Sequence, residues 1–517
     1  MTGPCTPGGA GHQHDTKAWH VVQVVVGRGG IATSSVTPVI LRGVFGSFLV
    51  LIGGLVTAVL PWSSPVATAP LLESLRESEA GRMSGLVVVM AGLALLGSAW
   101  LHLLAASRPD SPGDVGQRLR QVHVATLAWS LPLLIAPPLF SRDAWSYAAQ
   151  GELTHIGLSP YIWSPGIFDG QIREAVDPLW MNTPTPYGPL PLAWGSFFAG
   201  ISDNPWMLVV GYRLLALLGL ALVAWAVPRL AARGGQDQAR ASALVLGCPL
   251  TIAHGIGGAH NDLVMAGLMA AALAAAFERW WLVGAVLGGA AAAVKLPGGV
   301  VCIGVALVSL PALVALLPRL RRLTTVGAVA VGVLVVGGAV IGVGVGWVHA
   351  LGTPGIVRTP LSISTQLGGL VAMLGRNIGV DALNVHAVEV FRTVGLVLAL
   401  GVAVWVALRG RTGDPAYAVR SMGLLLGAVV LLSPTVHGWY FLWCLPFLAA
   451  CHWGRPAEDA IRDLVLVLGI IAPLDSSLRG APSEILAVTG LAIVTAVRLR
   501  AQAGRPHRRS EEPVAAP

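Results

Sequence analysis

Charge is what this chain has least of. Only 11% of its 517 residues are Asp, Glu, Lys or Arg, against about a quarter in a soluble domain. Lysine is nearly absent, with Lys17 and Lys295 the only two among 33 basic side chains. A surface this poor in charge excludes a soluble globule and makes a bilayer the solvent. The five cysteines, Cys5, Cys248, Cys302, Cys444 and Cys451, show neither metal nor disulfide spacing and read as packing residues. There is no Walker loop, no GxGxxG turn in a strand context and no HExxH helix, so ATP, dinucleotide and zinc-protease chemistry lack a carrier. No cofactor and no metal is expected. The net charge of +8 does not imply nucleic acid. The arginines sit in short loops beside apolar runs, where they orient helices.

Apolar residues and glycine fill the space that charge leaves: 55% of the chain is hydrophobic and 64 residues are Gly. In a membrane, Gly lets helices approach closely. Fourteen apolar runs stand out, near 40–62, 84–106, 122–140, 206–228, 242–259, 262–279, 281–294, 297–317, 324–348, 387–408, 419–435, 439–453, 461–474 and 484–498. An unpaired backbone cannot face lipid, so the expected fold is all-α and polytopic, with about 12–14 transmembrane helices. Several runs fall short of the ~20 residues of an ordinary span and are expected to tilt or break. Residues 1–38 read as a disordered cytoplasmic tail without the order of a cleavable signal. Residues 39–500 read as the membrane domain, and 501–517 as a disordered basic cytoplasmic tail.

Sidedness follows from counting arginine. With the N-terminus inside, Arg118 and Arg120, then Arg229, Arg233 and Arg240, then Arg319, Arg321 and Arg322 fall in inner loops. Segments 141–205 and 349–386 then lie outside. The first reads SRDAWSYAAQGELTHIGLSPYIW and later DPLWMNTPTPYGPLPLAWGSFF. Trp145, Trp163, Trp180 and Trp194 suit a headgroup zone. Ser141 can cap a short helix from Arg142, in which Asp143, Tyr147 and Gln150 share a face. The expectation is a helix lying on the membrane with its carboxylate aimed along the surface.

Ionisable groups at span ends cost several kcal/mol unless paired or hydrated, so each is a functional suspect. Asp143 reads either as a helix-start residue or as a general base. Arg213, two turns into its span, either snorkels or binds an anion. In GGAHNDLVM, Asn261 or Asp262 can cap the next helix, but His260 adds something a cap does not need. Lys295 in AAAVKLPGG precedes Pro297, which restarts a helix, and either snorkels or meets a phosphate. His437 lies at an outer turn beside Trp439 and Tyr440, which read as interfacial anchors. All of these map to one side of the membrane. One carboxylate, several cations and a Trp-rich loop on one side suit chemistry on an anionic lipid headgroup.

SRDAWSYAAQG, GLSPY, DPLW with TPTPYGPL, GGAHNDLVM, VKLPGG and HGWYFLW together resemble the polyprenol-phosphomannose-dependent α-1,6-mannosyltransferases of actinobacteria, members of the GT-C superfamily. The likeness runs from about residue 40 to 500, with Gly438 standing where the family usually carries proline. It implies a GT-C-like fold with interfacial helices in the first large outer loop. It implies an inverting transfer of mannose from polyprenyl-phosphate-mannose to a lipid-anchored α-1,6-mannan acceptor of lipomannan and lipoarabinomannan, at the outer face of the cell membrane. Asp143 is then the catalytic base. Lys295, Arg213, His260 and His437 are expected at the donor phosphate, and Arg142, Tyr147, Glu152, Tyr187, Asn261 and Asp262 at the acceptor or in loop positioning. Two other readings compete: a GT-C enzyme for another lipid-linked sugar, and a secondary transporter or flippase. The last would need internal repeats and midplane polar groups, and neither is evident.

Overall fold

The computed structural model describes residue 3 and residues 36–471 and 482–503. Nearly all of both predicted tails, with Cys5 and Lys17, lies outside the described residues. Among the described residues the fold is all-α: one isolated bridge, Gly235 to Cys451, is the only β-pairing.

Among the described residues, six helices are long and apolar enough to cross a bilayer: Thr37–Thr57, Glu79–Ala106, Pro205–Gly234, Leu316–Val340, Asp381–Arg409 and Pro415–Leu432. A seventh candidate is a pair, Gln238–Leu246 and Leu250–Gly257, bent by 51°. This is about half the number of apolar runs in the sequence. The difference has a physical origin. Asn261–Phe277 is only 17 residues long, and every residue from Asn261 to Ala276 is buried in protein. It is apolar all round because other helices surround it, which hydropathy cannot tell from lipid. Trp281–Val294 and Leu296–Val308 are likewise short. The 439–453 run is no helix of spanning length: Gly438 and Pro446 divide it into the turns Gly438–Leu442 and Leu445–Ala449.

Glycine sets the closest helix contacts. In Thr37–Thr57, Gly46 and Gly53 face Gly92 and Gly85 of Glu79–Ala106, and the carbonyl of one glycine fills the place a Cβ on the other would take. The seven-residue spacing on both helices keeps one seam in register. Gly219 and Gly267 do the same between Pro205–Gly234 and Asn261–Phe277.

The 30-residue helix Pro205–Gly234 is about 45 Å long at 1.5 Å per residue, and it joins two unlike ends. At its C-terminal end, arginines tie the bundle together. Arg118 pairs with Asp237 at 3.1 Å and Arg240 with Glu458 at 3.1 Å, while Arg319 donates to the Leu408 carbonyl. At its N-terminal end Trp206 meets Trp145 edge-on at 5.2 Å. There the 141–205 segment folds over the bundle through Asp143–His155, two one-turn helices and Pro189–Ala199.

The Asp143–His155 helix differs from the expected surface helix. Residues Ala144 to Gly151 are all buried, because the helix packs under Pro189–Ala199 and against Pro205–Gly234. Trp145 is a core residue that donates to the Val59 carbonyl at 3.0 Å, and Trp194 donates to Gly211 at 2.8 Å. Trp163 alone of the four is strongly exposed. The carboxylate of Asp143 therefore points into an enclosed cluster.

Sidedness is open to a direct test. Asp169 in the 141–205 segment is fully exposed, and its ion pair with Arg173 at 3.7 Å contributes negligibly at such a surface. Cys248, Cys302, Cys444 and Cys451 are buried. In a Cys5→Ser background, Asp169→Cys is expected to react with an impermeant maleimide in intact cells. Labelling only after lysis would invert the topology.

Candidate functional site

The local backbone explains how Asp143 is aimed. Phe140 takes a left-handed φ of 66°, which turns the chain sharply out of the preceding helix. The Ser141 hydroxyl then accepts the Asp143 amide at 3.0 Å, starting the helix one residue later than expected. Asp143 sits in the first turn, where the helix dipole favours an anion.

Its two carboxylate oxygens have separate partners. Trp180 Nε1 donates to Oδ1 at 3.3 Å, and the Tyr147 hydroxyl donates to Oδ2 at 3.4 Å. His260 Nδ1 lies 3.7 Å from Oδ2. Tyr147 shares a 3.0 Å hydrogen bond with the Tyr187 hydroxyl, and Tyr161 donates to the Tyr187 carbonyl at 2.8 Å. Burial pushes both the Tyr147 and the Tyr187 phenol well up, so both stay neutral donors. The predicted shared face of Asp143, Tyr147 and Gln150 is present: Gln150 accepts from Thr185 at 2.9 Å.

The second pole is Lys295. The chain leaves Trp281–Val294 in an extended conformation at Lys295, and a 3₁₀ turn begins at Leu296 with Pro297 in its first positions. This break drops the ammonium into the bundle. It lies 3.5 Å from Asp262 Oδ1, 4.0 Å from the Tyr440 ring centroid, 5.2 Å from that of Trp443 and 5.5 Å from that of Tyr187. Trp443 Nε1 donates to the same Asp262 oxygen at 2.7 Å. Lys295 is thus a buried residue in an aromatic box, where snorkelling to a surface would leave it exposed.

Between the poles runs an aromatic stack. His260 lies on Trp439 with centroids 3.9 Å apart and 18° between planes; His437 covers the other face at 4.4 Å and 14°. Trp439 and Tyr440 are therefore buried within this cluster. Neither Asn261 nor Asp262 caps its helix: Asp262 faces Lys295 and Trp443, and the Asn261 amide is buried with no hydrogen-bond partner among the described residues.

Other expected residues stand further off. Arg213 donates to the carbonyls of Leu134 and Gly257, both at 3.2 Å, and so clamps the end of the π-helical turn Leu250–Gly257. Arg142 reaches the Val176 carbonyl at 3.5 Å. Glu152 is not brought to the site. Nine residues beyond Asp143, it lies on the opposite face of the helix, near His155 and Asp203, and partial burial raises its carboxyl. Trp180, read from the sequence as a headgroup residue, instead donates to Asp143, and Trp443 was not singled out, although it follows Trp439 at a helical spacing of four. Among the described residues no group of three His, Cys, Asp or Glu side chains is arranged to hold a metal ion.

Lys295 opens onto a cavity of about 750 Å³. Its walls also include Tyr440, Trp443, Leu296, and one face of Asp381–Arg409. The lining is mainly apolar, with cationic side chains from Lys295, Arg358 and Arg392. An anion bearing a long apolar tail fits this combination.

The buried ion pair carries a stability prediction. Lys295→Met leaves the Asp262 carboxylate buried with Trp443 alone, and breaking such a pair costs about 3–5 kcal/mol. Lys295→Met combined with Asp262→Leu removes both charges and is expected to recover most of that loss. Chemical denaturation of the purified protein in detergent measures both. A Lys295→Met variant as stable as the parent would show that the two charges do not depend on each other.

Known proteins resemble this chain along most of its length. Residues 40–311 match the family model described as alpha-(1->6)-mannopyranosyltransferase, N-terminal domain, and residues 364–501 match the MptB C-terminal domain. A probable alpha-(1->6)-mannopyranosyltransferase of Mycolicibacterium smegmatis is 32% identical over 84% of this chain and 83% of its own length. Alpha-(1->6)-mannopyranosyltransferase A of Mycobacterium tuberculosis is 32% identical over 79% of this chain and 80% of its own. Alpha-(1->6)-mannopyranosyltransferase B of Corynebacterium glutamicum is 27% identical over 84% of this chain and 74% of its own. With the N-terminal match carrying Asp143, His260, Asp262 and Lys295 and the C-terminal match carrying His437 and Trp443, the chain belongs to the actinobacterial α-(1→6)-mannopyranosyltransferase family of membrane enzymes.

Proposed function

We propose that the protein transfers mannose, with inversion, from polyprenyl-phosphate-mannose to the 6-hydroxyl of an α-1,6-mannan chain on a lipid anchor. The reaction takes place at the outer face of the cell membrane, in lipomannan and lipoarabinomannan assembly. One observation carries this reading. A carboxylate and an ammonium form the two poles of one buried cluster, joined through Tyr147 and Tyr187, and the ammonium pole lines an apolar cavity. A base is needed where the acceptor enters and a cation where the lipid phosphate leaves.

The acceptor oxygen attacks C1 of the mannose from the face opposite the phosphate. Its proton passes to Asp143 as the new C1–O bond forms. The C1–O bond to the phosphate breaks, and its electron pair goes to the phosphate oxygen. Positive charge spreads over the sugar ring while negative charge grows on the phosphate. Lys295 stabilises that growing charge more strongly than the ground state. A phosphate diester leaves as a monoester dianion, so no protein acid is required. His260, 3.7 Å from Asp143 and fixed by its stack on Trp439, walls one side of the carboxylate. Arg213 supports this from behind, since it clamps the turn that precedes His260.

The decisive substitution is Asp143→Asn. Asparagine keeps an acceptor for Trp180, turns its amide NH2 towards the Tyr147 hydroxyl, which can accept, and still starts the helix, but is a negligible base. Mannose transfer from purified polyprenyl-phosphate-mannose to a short α-1,6-mannoside is expected to fall by about 10²–10⁴-fold, with thermal stability near the parent. Parental activity would make Asp143 structural. Efficient use of another lipid-linked sugar in place of mannose would overturn the donor assignment.

A further inference from the structure

The cavity beside Lys295 runs along the Asp381–Arg409 helix. Residues from Val385 to Ala399 line it over about 20 Å of helix. Val385 and Val388 begin that face, Glu389, Arg392 and Thr393 make its middle polar, and Leu396, Ala399 and Val429 make the wall apolar again; Arg358 and Lys295 line the same cavity. A polar patch with an apolar run beyond it suits an amphiphile with one anionic head.

The three cations differ in what they have left to offer. Lys295 is held by Asp262 and its aromatic box. Arg392 spends three of its five N–H donors on the protein: Nη1 donates to the Gly355 carbonyl at 2.6 Å, Nη2 to the Val357 carbonyl at 2.7 Å and Nε to Thr365 Oγ1 at 2.8 Å. Arg358 is exposed in the cavity, and among the described residues its guanidinium makes no hydrogen bond or ion pair. Its backbone, by contrast, is firmly held. Arg392 grips the residue just before it, and Thr359 Oγ1 just after it accepts the Val436 amide at 2.9 Å. Thr435 also donates to the Val357 carbonyl at 3.1 Å, and Thr365 to Pro434 at 2.7 Å. The same 433–436 segment leads directly into His437 and Trp439.

We propose that Arg358 is a second contact for the phosphate of an isoprenoid-linked donor, and that Arg392 is the positioning residue that holds it over the cavity. This rests on the polyprenyl-phosphate reading above. Lys295, paired and boxed, supplies a fixed positive potential from below. Arg358, with a forked guanidinium and no competing partner, supplies directional hydrogen bonds from the mouth. Glu389 is the carboxylate among the lining residues, so it directs a phosphate towards the Arg358 and Lys295 side. The isoprenoid chain lies along Leu396, Ala399 and Val429.

The test is binding of radiolabelled polyprenyl phosphate, without sugar, to the full-length protein in nanodiscs. Arg358→Gln is expected to weaken binding about tenfold, as loss of a charge-assisted contact does, and Arg358→Lys less. Asp143→Asn is expected to bind it as the parent does. Arg392→Lys keeps the charge but loses the three-point grip. It is expected to raise KM for the lipid donor several-fold while kcat at saturating donor stays within about twofold, whereas a merely structural role would lower kcat through lost folded enzyme. Arg358→Gln binding like the parent overturns the proposal, even if Asp143→Asn abolishes transfer and so upholds the reaction. Displacement of polyprenyl phosphate by equimolar phosphatidylglycerol also overturns it, because the site would then take any anionic lipid. If Arg358→Gln lowers binding but the parent transfers no mannose, the Arg358 assignment stands and the mannosyl reaction falls.

Discussion

Lys295 and Asp262 are two opposite charges in an interior otherwise built of Ala, Gly, Leu and Val. Neither has water enough to satisfy it alone, and together they bind three parts of the chain that are distant in sequence. Asp262 opens a wholly buried helix, Lys295 interrupts another, and Trp443 reaches the same carboxylate oxygen from a third segment. The break at Lys295, the Gly- and Pro-rich turns around it and the ring box of Tyr440, Trp443 and Tyr187 follow from the need to enclose that pair. Apolar helices alone could slide past one another; a buried pair with fixed partners has one register.

From that pair the site extends in two directions. Through Tyr187 and Tyr147, kept neutral by burial, it reaches Asp143, whose carboxylate accepts from Trp180 and from Tyr147 itself. Through Tyr440 and Trp443 it faces a cavity walled in part by a helix with a polar patch, Glu389, Arg392 and Thr393, between apolar residues. Trp439, covered on both faces by imidazoles, is a spacer between these regions. The 355–365 segment, tied to Ser433–Val436 by hydrogen bonds of side chains to backbone, encloses the cavity and fixes the approach to His437.

Much of this was legible in the linear chain, for identifiable reasons. Low charge with abundant apolar residues dictated a helical membrane protein, since lipid offers the backbone no partners. Arginine distribution separated the two ends of the bundle, and the residues singled out as too polar for their surroundings, Asp143, His260, Asp262, Lys295 and His437, converge. The length of each helix was less legible. The helix at 261–277 is as apolar as any span, yet its neighbours are protein, and hydropathy measures only the dislike of water. The Trp residues of the first loop failed as markers of a headgroup zone for a related reason. An amphipathic indole serves equally at an interface or in a core with one hydrogen-bond acceptor, as Trp145 does with Val59.

What the sequence determined by itself was chemistry by type and by side: one carboxylate at the start of a loop helix, one lysine beside a proline, a histidine before a buried helix, all at the same end. These follow from local rules of capping, breaking and charge cost, which act within a few residues. Only the tertiary structure decided partnership. It joined Lys295 to Asp262 across 33 residues and Trp443 to the same oxygen across 181, moved Glu152 away from Asp143, and gave Arg213 and Arg392 backbone carbonyls to hold. Such choices depend on which helix faces meet, and a face is specified by the packing of the whole bundle and not by any stretch of the chain.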